Sequence, residues 1–587
     1  MYLKPEFAAL LQNNDVPSES TILEVTKSLK VPLTQLQEVE AEIQRLGQLM
    51  ETLETKRQSI QKIINDHNVI LSPVRRLPPD VLHEIFFHCL PTNHNPVMTS
   101  SESPLLLTRI CSSWRGIALS SPRIWSKLYI PFPGDPNVSQ VYGTITDETI
   151  LSKRCQRFAS VLRLRCDAVR SWLSRAGTCP LSLTVTYPST YSGVQNLELD
   201  ELIREMFDIL LSFADRWRDV DLSMPEDIYN KLQGNITPTT FSSLVSVKTC
   251  LHRKSHGNGS ATQPIPIRIL DAPCLRRIHI NMLQTPYILR QRFWNYITHI
   301  TFASSIADRD LPILLRECPN LFFAKFIVNS SRWLNEPNVD QDAVLLPRLE
   351  SLYIQDSGAL ETMAILFKAL NAPALTSLSY NWLSQRIPGD GLDSAIQLPV
   401  PVIPLLENST LISYLSLDGG LSRQDMQQCL QHGAGVTHVV FGRAIRYPGS
   451  HLFEPYFPPY TTDTDVVRRD IFDLKILFIG AGSGSVTLLP RLESLEAYQL
   501  SSLTDEDLLD IITNRIDAYR RGEAAALKSV KIHFQRRRQR DITEDVSRHA
   551  KEAGIEVKLD LVYPVERFHL VDRLSPSCGF IPDDMWF

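Results

Sequence analysis

A strand template that keeps returning along a chain leaves few folds open, because each copy exposes an apolar face that only a neighbouring copy can cover. Here the template is Pro-x-Leu-x-x-φ-x-φ, with φ an apolar residue. It occurs at Ala272–Ile280, Cys318–Phe326, Leu346–Ile354, Ala372–Tyr380 and Leu489–Ala497. In a chain that is 43% hydrophobic, the φ-x-x-φ-x-φ core alone matches about 47 places by chance; requiring Pro-x-Leu lowers that to about one. Prolineless copies led by Trp217, Ile412, Val436 and Leu527 extend the series, with leaders 58, 46, 28, 26, 37, 24, 56 and 35 residues apart. Three spacings fall in the range of about 20–29 residues of a strand-and-helix repeat, and three are near twice it. The 37 and the 35 fit neither.

The last copies show what lies between the strands. Thr504 to Asp507 reads as a capping box that opens a helix carrying Leu508, Leu509, Ile512 and Ile516. A second helix, ITEDVSRHAKEAG, stops at Gly554, and strand IEVKLDLVY follows. Strand, helix, strand, helix, strand therefore runs over residues 494–563, which predicts an irregular α/β solenoid with a parallel inner sheet over 151–563. Pro-rich insertions at 382–404 and 446–463 interrupt it, and a tail occupies 564–587.

Upstream the periodicity changes to seven. Leu36, Ile43, Met50, Arg57 and Ile64 fall at a positions, and Val39, Leu46, Leu53, Ile60 and His67 at d positions. Residues 36–70 therefore form a coiled-coil-like helix between Pro32 and Pro73, preceded by a short helical segment over 1–35. Gly47 weakens it by about 1 kcal/mol relative to Ala. The pattern serves a helical hairpin within one chain or a homodimer through residues 36–70.

Residues 75–130 differ again. Leu77-Pro78-Pro79-Asp80 opens a helix whose stripe is Val81, Leu82, Ile85, Phe86 and Cys89, and Pro91 closes it. After a polar loop, LLLTRICSSWRGIAL places Ile110, Cys111, Trp114, Ile117 and Ala118 at helical spacing, and Ser121-Pro122 begins a turn that delivers Trp125. Three short helices bury little surface alone, so some of these apolar faces call for another chain.

In order and spacing, Leu77-Pro78, Val81-Leu82, Ile85-Phe86, Ile110-Cys111, Trp114-Arg115, Ile117-Ala118 and Trp125 resemble the F-box pattern. The wider stretch, from LLQNND through LSPVRRLPPDVLHEIFFHCLP to SWLSRAGTCPLSLTV, resembles F-box proteins abundant in mushroom-forming fungi. The resemblance implies a multidomain α and α/β fold: the heptad helix, a three-helix F-box at 75–130, a linker at 131–150 and a leucine-rich-repeat-like solenoid. It further implies that Leu77, Pro78, Val81, Leu82, Ile85, Phe86, Ile110, Trp114 and Trp125 pack against a Skp-type adaptor or hold the F-box helices together.

Catalytic constellations fail on geometry. His83 and His88 are five residues apart, about 140° out of alignment for a shared metal ion. KILFIGAGSGS places Gly480, Gly482 and Gly484 after a strand, but Ser485 replaces the third glycine of a dinucleotide fingerprint and Pro490 precludes the helix. The basic run Arg536 to Arg540 precedes the acidic DITED and reads as a solvated turn rather than a nuclear signal. Tyr447, Phe453, Tyr456, Phe457 and Tyr460 crowd a Pro-rich loop that either anchors a protein substrate or caps the solenoid core.

The net charge of −5 gives no bulk attraction to nucleic acid or anionic lipid, and no run of 18 apolar residues offers a membrane span. The ten cysteines, among them Cys89, Cys111, Cys250 and Cys429, form no CxxC pair and read as buried thiols of a reducing compartment. With no secretory leader, a cytoplasmic or nuclear location follows. The expected function is a non-catalytic substrate receptor of a Skp/cullin/F-box ubiquitin ligase. It needs no cofactor or metal, and its partners are the Skp-type adaptor, the cullin core and a protein substrate. The competing expectation is a scaffold whose F-box-like helices pack internally and whose heptad helix self-associates.

Overall fold

In the computed structural model each Pro-x-Leu copy is a turn feeding a strand. The carbonyl of the residue before proline accepts the leucine N–H three positions on, at 3.1–3.2 Å, in all five copies. Proline's fixed φ suits the second position of such a turn. The residue before it (Ala272, Cys318, Leu346, Ala372, Leu489) and the leucine (Leu275, Leu321, Leu349, Leu375, Leu492) are both buried. The copy led by Val436 makes the same turn from Gly433, where a Cβ would stand 3.0 Å from Leu489 Cδ2, so the missing side chain admits a neighbouring turn.

The structure describes residues 16–134, 148–187, 197–234, 240–252, 267–281, 294–329, 343–357, 360–382, 400–418, 423–442, 474–479, 488–500 and 502–563, with 11, 136, 138–139, 143–144 and 236. The aromatic loop from Tyr447 to Tyr460, the glycines 480–484 and the tail 564–587 lie outside them. Two units are distinguished, Met1–Ile85 and Phe86–Phe587.

The second unit is mixed helix and parallel sheet. Its strands are β1 Lys127–Pro131, β2 Leu181–Thr186, β3 Trp217–Pro225, β4 Ser246–His252 and β5 Arg277–Ile280. There follow β6 His299–Ala307, β7 Phe323–Asn329, β8 Ser351–Ser357, β9 Ser377–Trp382 and β10 Tyr414–Asp418. The last four are β11 His438–Phe441, β12 Ser494–Leu500, β13 Ser529–Phe534 and β14 Lys558–Val562. All fourteen form one sheet whose strand order is the chain order, and every neighbouring pair is parallel. Helices including Glu148–Arg175, Leu197–Leu211, Asp310–Glu317 and Asp505–Arg520 lie between successive strands.

One row of the sheet explains its continuity. An aliphatic residue stands in register on every strand, running from Leu128 through Leu183, Val220 and Val247 to Leu415, Val530 and Leu559. All are buried except Leu559 on the edge strand, which is half-buried. Each fully buried Leu or Ile contributes about 2 kcal/mol by leaving water, and each does so only because the next strand covers it.

Nine strands follow the nine template copies. Of the three near-double spacings, two contain a strand the template missed: β4 lies between Trp217 and Leu275, and β6 between Leu275 and Leu321. Neither carries Pro-x-Leu. In the third, β11 pairs directly with β12. Strands β1 and β2 also escaped the template. Because β1 pairs with β2, the sheet begins inside the range 75–130 expected for the helical module, before the linker expected at 131–150.

Several local expectations need correction. The heptad helix, α1, starts at Glu19 rather than after Pro32 and runs to Leu71. Ser18 caps it, its Oγ accepting the Thr21 N–H at 3.2 Å, and Pro32 lies inside. Because α1 is one uninterrupted helix with no buried residue, its two halves do not form a hairpin. Helix α2, Pro79–His88, follows. The single helix expected over LLLTRICSSWRGIAL is two, Leu107–Ile110 and Ser112–Leu119. Cys111 breaks it with an extended backbone, and its Sγ accepts the Trp114 N–H at 3.4 Å. Cys111 is an exposed thiol, and Cys89, just past the end of α2, is exposed as well, whereas Cys250 is half-buried and Cys429 buried. Leu474–Leu477, before the glycine loop, is a 3-10 turn rather than a strand. No helix among the described residues is long and apolar enough to cross a membrane.

Candidate functional site

The side chains of the segment 77–125 divide into two sets. Leu82, Phe86 and Trp125 are buried. Phe86 meets the half-buried Trp114 with ring centroids 4.9 Å apart, while Trp125 donates its indole N–H to the Ala118 carbonyl at 2.8 Å. Trp125 also stands edge-on to Trp172 at 4.8 Å, with the Arg175 guanidinium 4.9 Å over its ring, so it belongs to the start of the sheet region. The outward set is Pro78, Val81, Ile85 and Ile110. Val81 is 40% exposed, Ile85 38% and Ile110 53%. Leu77 is half-buried.

A second site emerges on the solvent face of the sheet, at positions the strand template leaves free. Across β7, β8, β9 and β10, one outward row reads Phe323, Ser351, Ser377, Tyr414. Two residues further on, β7 to β12 present Lys325, Tyr353, Ser379, Ser416, Val440 and Glu496 in register. The serines are too short to fill the space beside the rings, and a trench of about 450 Å³ results. Phe323 and Tyr353 wall one side; Tyr414, Val440 and Tyr498 wall the other.

Asn381 of β9 lines this trench and is 2% exposed. Its Nδ2 donates to the Tyr353 hydroxyl at 2.5 Å, while its Oδ1 has no hydrogen-bond partner. A buried amide oxygen without a donor costs about 1–3 kcal/mol, which a bound N–H or O–H group recovers. The floor is otherwise neutral. Lys325, whose ammonium sits 4.4 Å from the Tyr353 ring centroid, and Glu496 lie on strands five spacings apart, roughly 24 Å at the usual strand separation.

The Glu496 rim is a small polar cluster. Tyr498 donates to Glu496 Oε2 at 2.8 Å, and Lys531 Nζ lies 3.9 Å from the same oxygen. Burial, then the bond to Glu496, pushes the Tyr498 hydroxyl up. Burial, then Glu496, does the same for Tyr414, so both phenols stay neutral donors at physiological pH. A neutral floor with aromatic walls and an unpaired acceptor fits an uncharged, extended segment carrying a large side chain.

The basic run is an exposed turn anchored by its first arginine. Arg536 pairs with the buried Asp505 at 2.7 Å and lies 4.2 Å over the Phe534 ring. Arg538 pairs with Asp541, and Arg540 with Asp545 at 2.7 Å. A strand template defined by its apolar positions does not report the trench; the x positions of LESLYI, LTSLSY and ISYLSL carry the serine and tyrosine pattern that builds it. No family model matches the chain, and no curated protein matches it.

Proposed function

We propose that the protein is the substrate receptor of a Skp/cullin/F-box type ubiquitin ligase. In this reading residues 75–130 are an F-box that binds a Skp-type adaptor. The fourteen-stranded region is a leucine-rich-repeat-like solenoid that holds a protein substrate, and the chain performs no bond chemistry itself. The supporting observation is helix α2, which carries apolar side chains on two faces: Leu82 and Phe86 turn inward, while Val81 and Ile85 remain 40% and 38% exposed. Burying the outer pair against a partner removes from water surface that the chain itself leaves uncovered.

Ile85→Asp tests the assignment. An exposed carboxylate costs the free chain little, but it cannot be desolvated in an interface without a partner. Calorimetry against a Skp-type adaptor should show affinity reduced by more than 100-fold, with melting of the free protein unchanged within about 2 °C, since surface substitutions rarely move stability far. Unchanged affinity contradicts the F-box reading and favours the scaffold.

The trench is assigned to the substrate. Ser377→Tyr places a ring in it at an outward strand position where aromatics are well tolerated. Binding of a co-captured substrate should fall more than tenfold while adaptor affinity holds. Equal substrate binding by the variant moves recognition to another part of the chain.

A further inference from the structure

We propose that α1 is the dimerisation element of this protein, pairing along Ile22 to Leu71 with a second copy of the chain as a two-stranded coiled coil. This interface is longer than the heptads between the flanking prolines imply, and it is independent of the ligase reading. Because the helix starts at Glu19, the heptad phase set by Leu36 and Val39 extends backwards through Leu29, Val25 and Ile22 without a shift. From Ile22 to Leu71 there are eight a positions and seven d positions, and only Pro32, Arg57 and His67 among the fifteen are not aliphatic or Met.

Of the twelve apolar seam residues, eleven are 46% exposed or more, and none of the helix is buried. A lone helix of this kind is marginal in water, because helices owe their stability mainly to a covered apolar face. The seam supplies on the order of 1000 Å² of surface per chain, above the roughly 800 Å² per partner of a stable interface.

Two features favour an identical partner and the number two. With the helices parallel, the flanking g and e positions set no like charges against each other: Glu42 faces Gly47 of the second copy, Lys56 faces Gln61, and Gln35 faces Glu40. Arg57, the one charged a residue, bonds Glu54 of its own helix at 2.5 Å. Glu54 is an e residue, so the guanidinium is drawn to the edge of the seam. Two strands leave that edge in water, whereas three or more would enclose it.

Sedimentation equilibrium on the full chain should give twice 66.6 kDa. Leu46→Lys with Leu53→Lys should return the mass to 66.6 kDa while circular dichroism and the melting of the sheet region persist. Arg57→Ile, which completes the seam, should lower the dissociation constant tenfold or more, a readout that does not depend on the lysine variant folding. A monomer at all concentrations up to 100 µM overturns the proposal, as does a dimer that survives both lysines or an Arg57→Ile variant that associates more weakly. A helix that recruits a different protein gives the first of these results.

Discussion

Replacing Arg515 with methionine will lower the stability of the sheet-bearing unit by about 2 kcal/mol, the cost of orphaning the buried carbonyls of Leu477 and Leu488 at about 1 kcal/mol each, since the Leu489 carbonyl keeps the Leu492 N–H of its turn. Arg515 lies on helix Asp505–Arg520 and is 3% exposed. Its guanidinium donates to the carbonyls of Leu477, Leu488 and Leu489 at 3.1, 2.7 and 2.9 Å. No carboxylate pairs with it among the described residues; burial brings it down to about 10, still charged at physiological pH. Arg515 holds the chain where Leu489 takes a φ of 50°, in the left-handed region that side chains resist. Leu489 also begins the last Pro-x-Leu turn, so the substitution acts on β12 as well. Arg515→Lys keeps the charge, yet a single ammonium cannot reproduce the planar fork, and it should recover only part of the loss. Chemical denaturation of the three proteins checks this; equal stability of wild type and Arg515→Met would show that the carbonyls find other donors.

Asp505→Asn will cost about 3 kcal/mol at neutral pH, because it leaves the half-buried Arg536 guanidinium without its counter-charge. Asp505 opens the same helix, and its carboxylate collects four donors. Arg536 at 2.7 Å and the Tyr563 hydroxyl at 2.9 Å bond Oδ1; the N–H groups of Gln539 and Arg540 bond Oδ2 at 2.7 and 2.8 Å. Burial alone pushes this carboxyl up. Arg536, the two backbone groups and Tyr563 outweigh it, bringing the group from 3.8 down to about 2. A lowered carboxylate stabilises the folded state above its unfolded value, and that stabilisation disappears as pH falls through the folded value. About 2 kcal/mol should therefore be lost between roughly pH 4 and pH 2, and Asp505→Asn should lack this increment. Denaturation midpoints over that range, compared between the two proteins, measure it; parallel profiles would show that Asp505 is not the group responsible.

The strand register was legible wherever turn chemistry announced it. Pro-x-Leu marks a turn whose hydrogen bond and two buried side chains are local, so five strands could be read from nine-residue windows. Strands β4 and β6 lack the proline and depend on long-range pairing, which periodicity does not report. The Thr504 capping box is present because both of its bonds are local: Thr504 Oγ1 accepts the Asp507 N–H at 3.0 Å, and Asp507 Oδ2 accepts the Thr504 N–H at 3.4 Å. Charge alone reads the basic run as a solvated turn, and residues 537–540 are exposed; what it does not report is the half-buried Arg536. Its leading arginine is paid for by a carboxylate 31 residues earlier, a contact created by the fold.

The candidate sites divide the same way. Helical spacing grouped Val81, Leu82, Ile85 and Phe86, but the side each faces depends on what packs there, and only Leu82 and Phe86 are buried. The trench depends on six neighbouring strands in register. Its serines belong to segments up to 65 residues apart, Ser351 and Ser416, and lie on nearby strands only because sheet order follows chain order.

The proposed ligase role requires that the helical segment ahead of β1 join this chain to a Skp-type adaptor and, through it, to a cullin. Mixing purified full-length protein with a Skp-type adaptor and the adaptor-binding region of a cullin, followed by size-exclusion chromatography with mass detection, tests it most directly. A single peak holding all three components in equal amounts is expected, and it should be lost with Ile85→Asp. Separate elution of the full-length protein at micromolar concentrations, with the adaptor and cullin bound to each other, would contradict it.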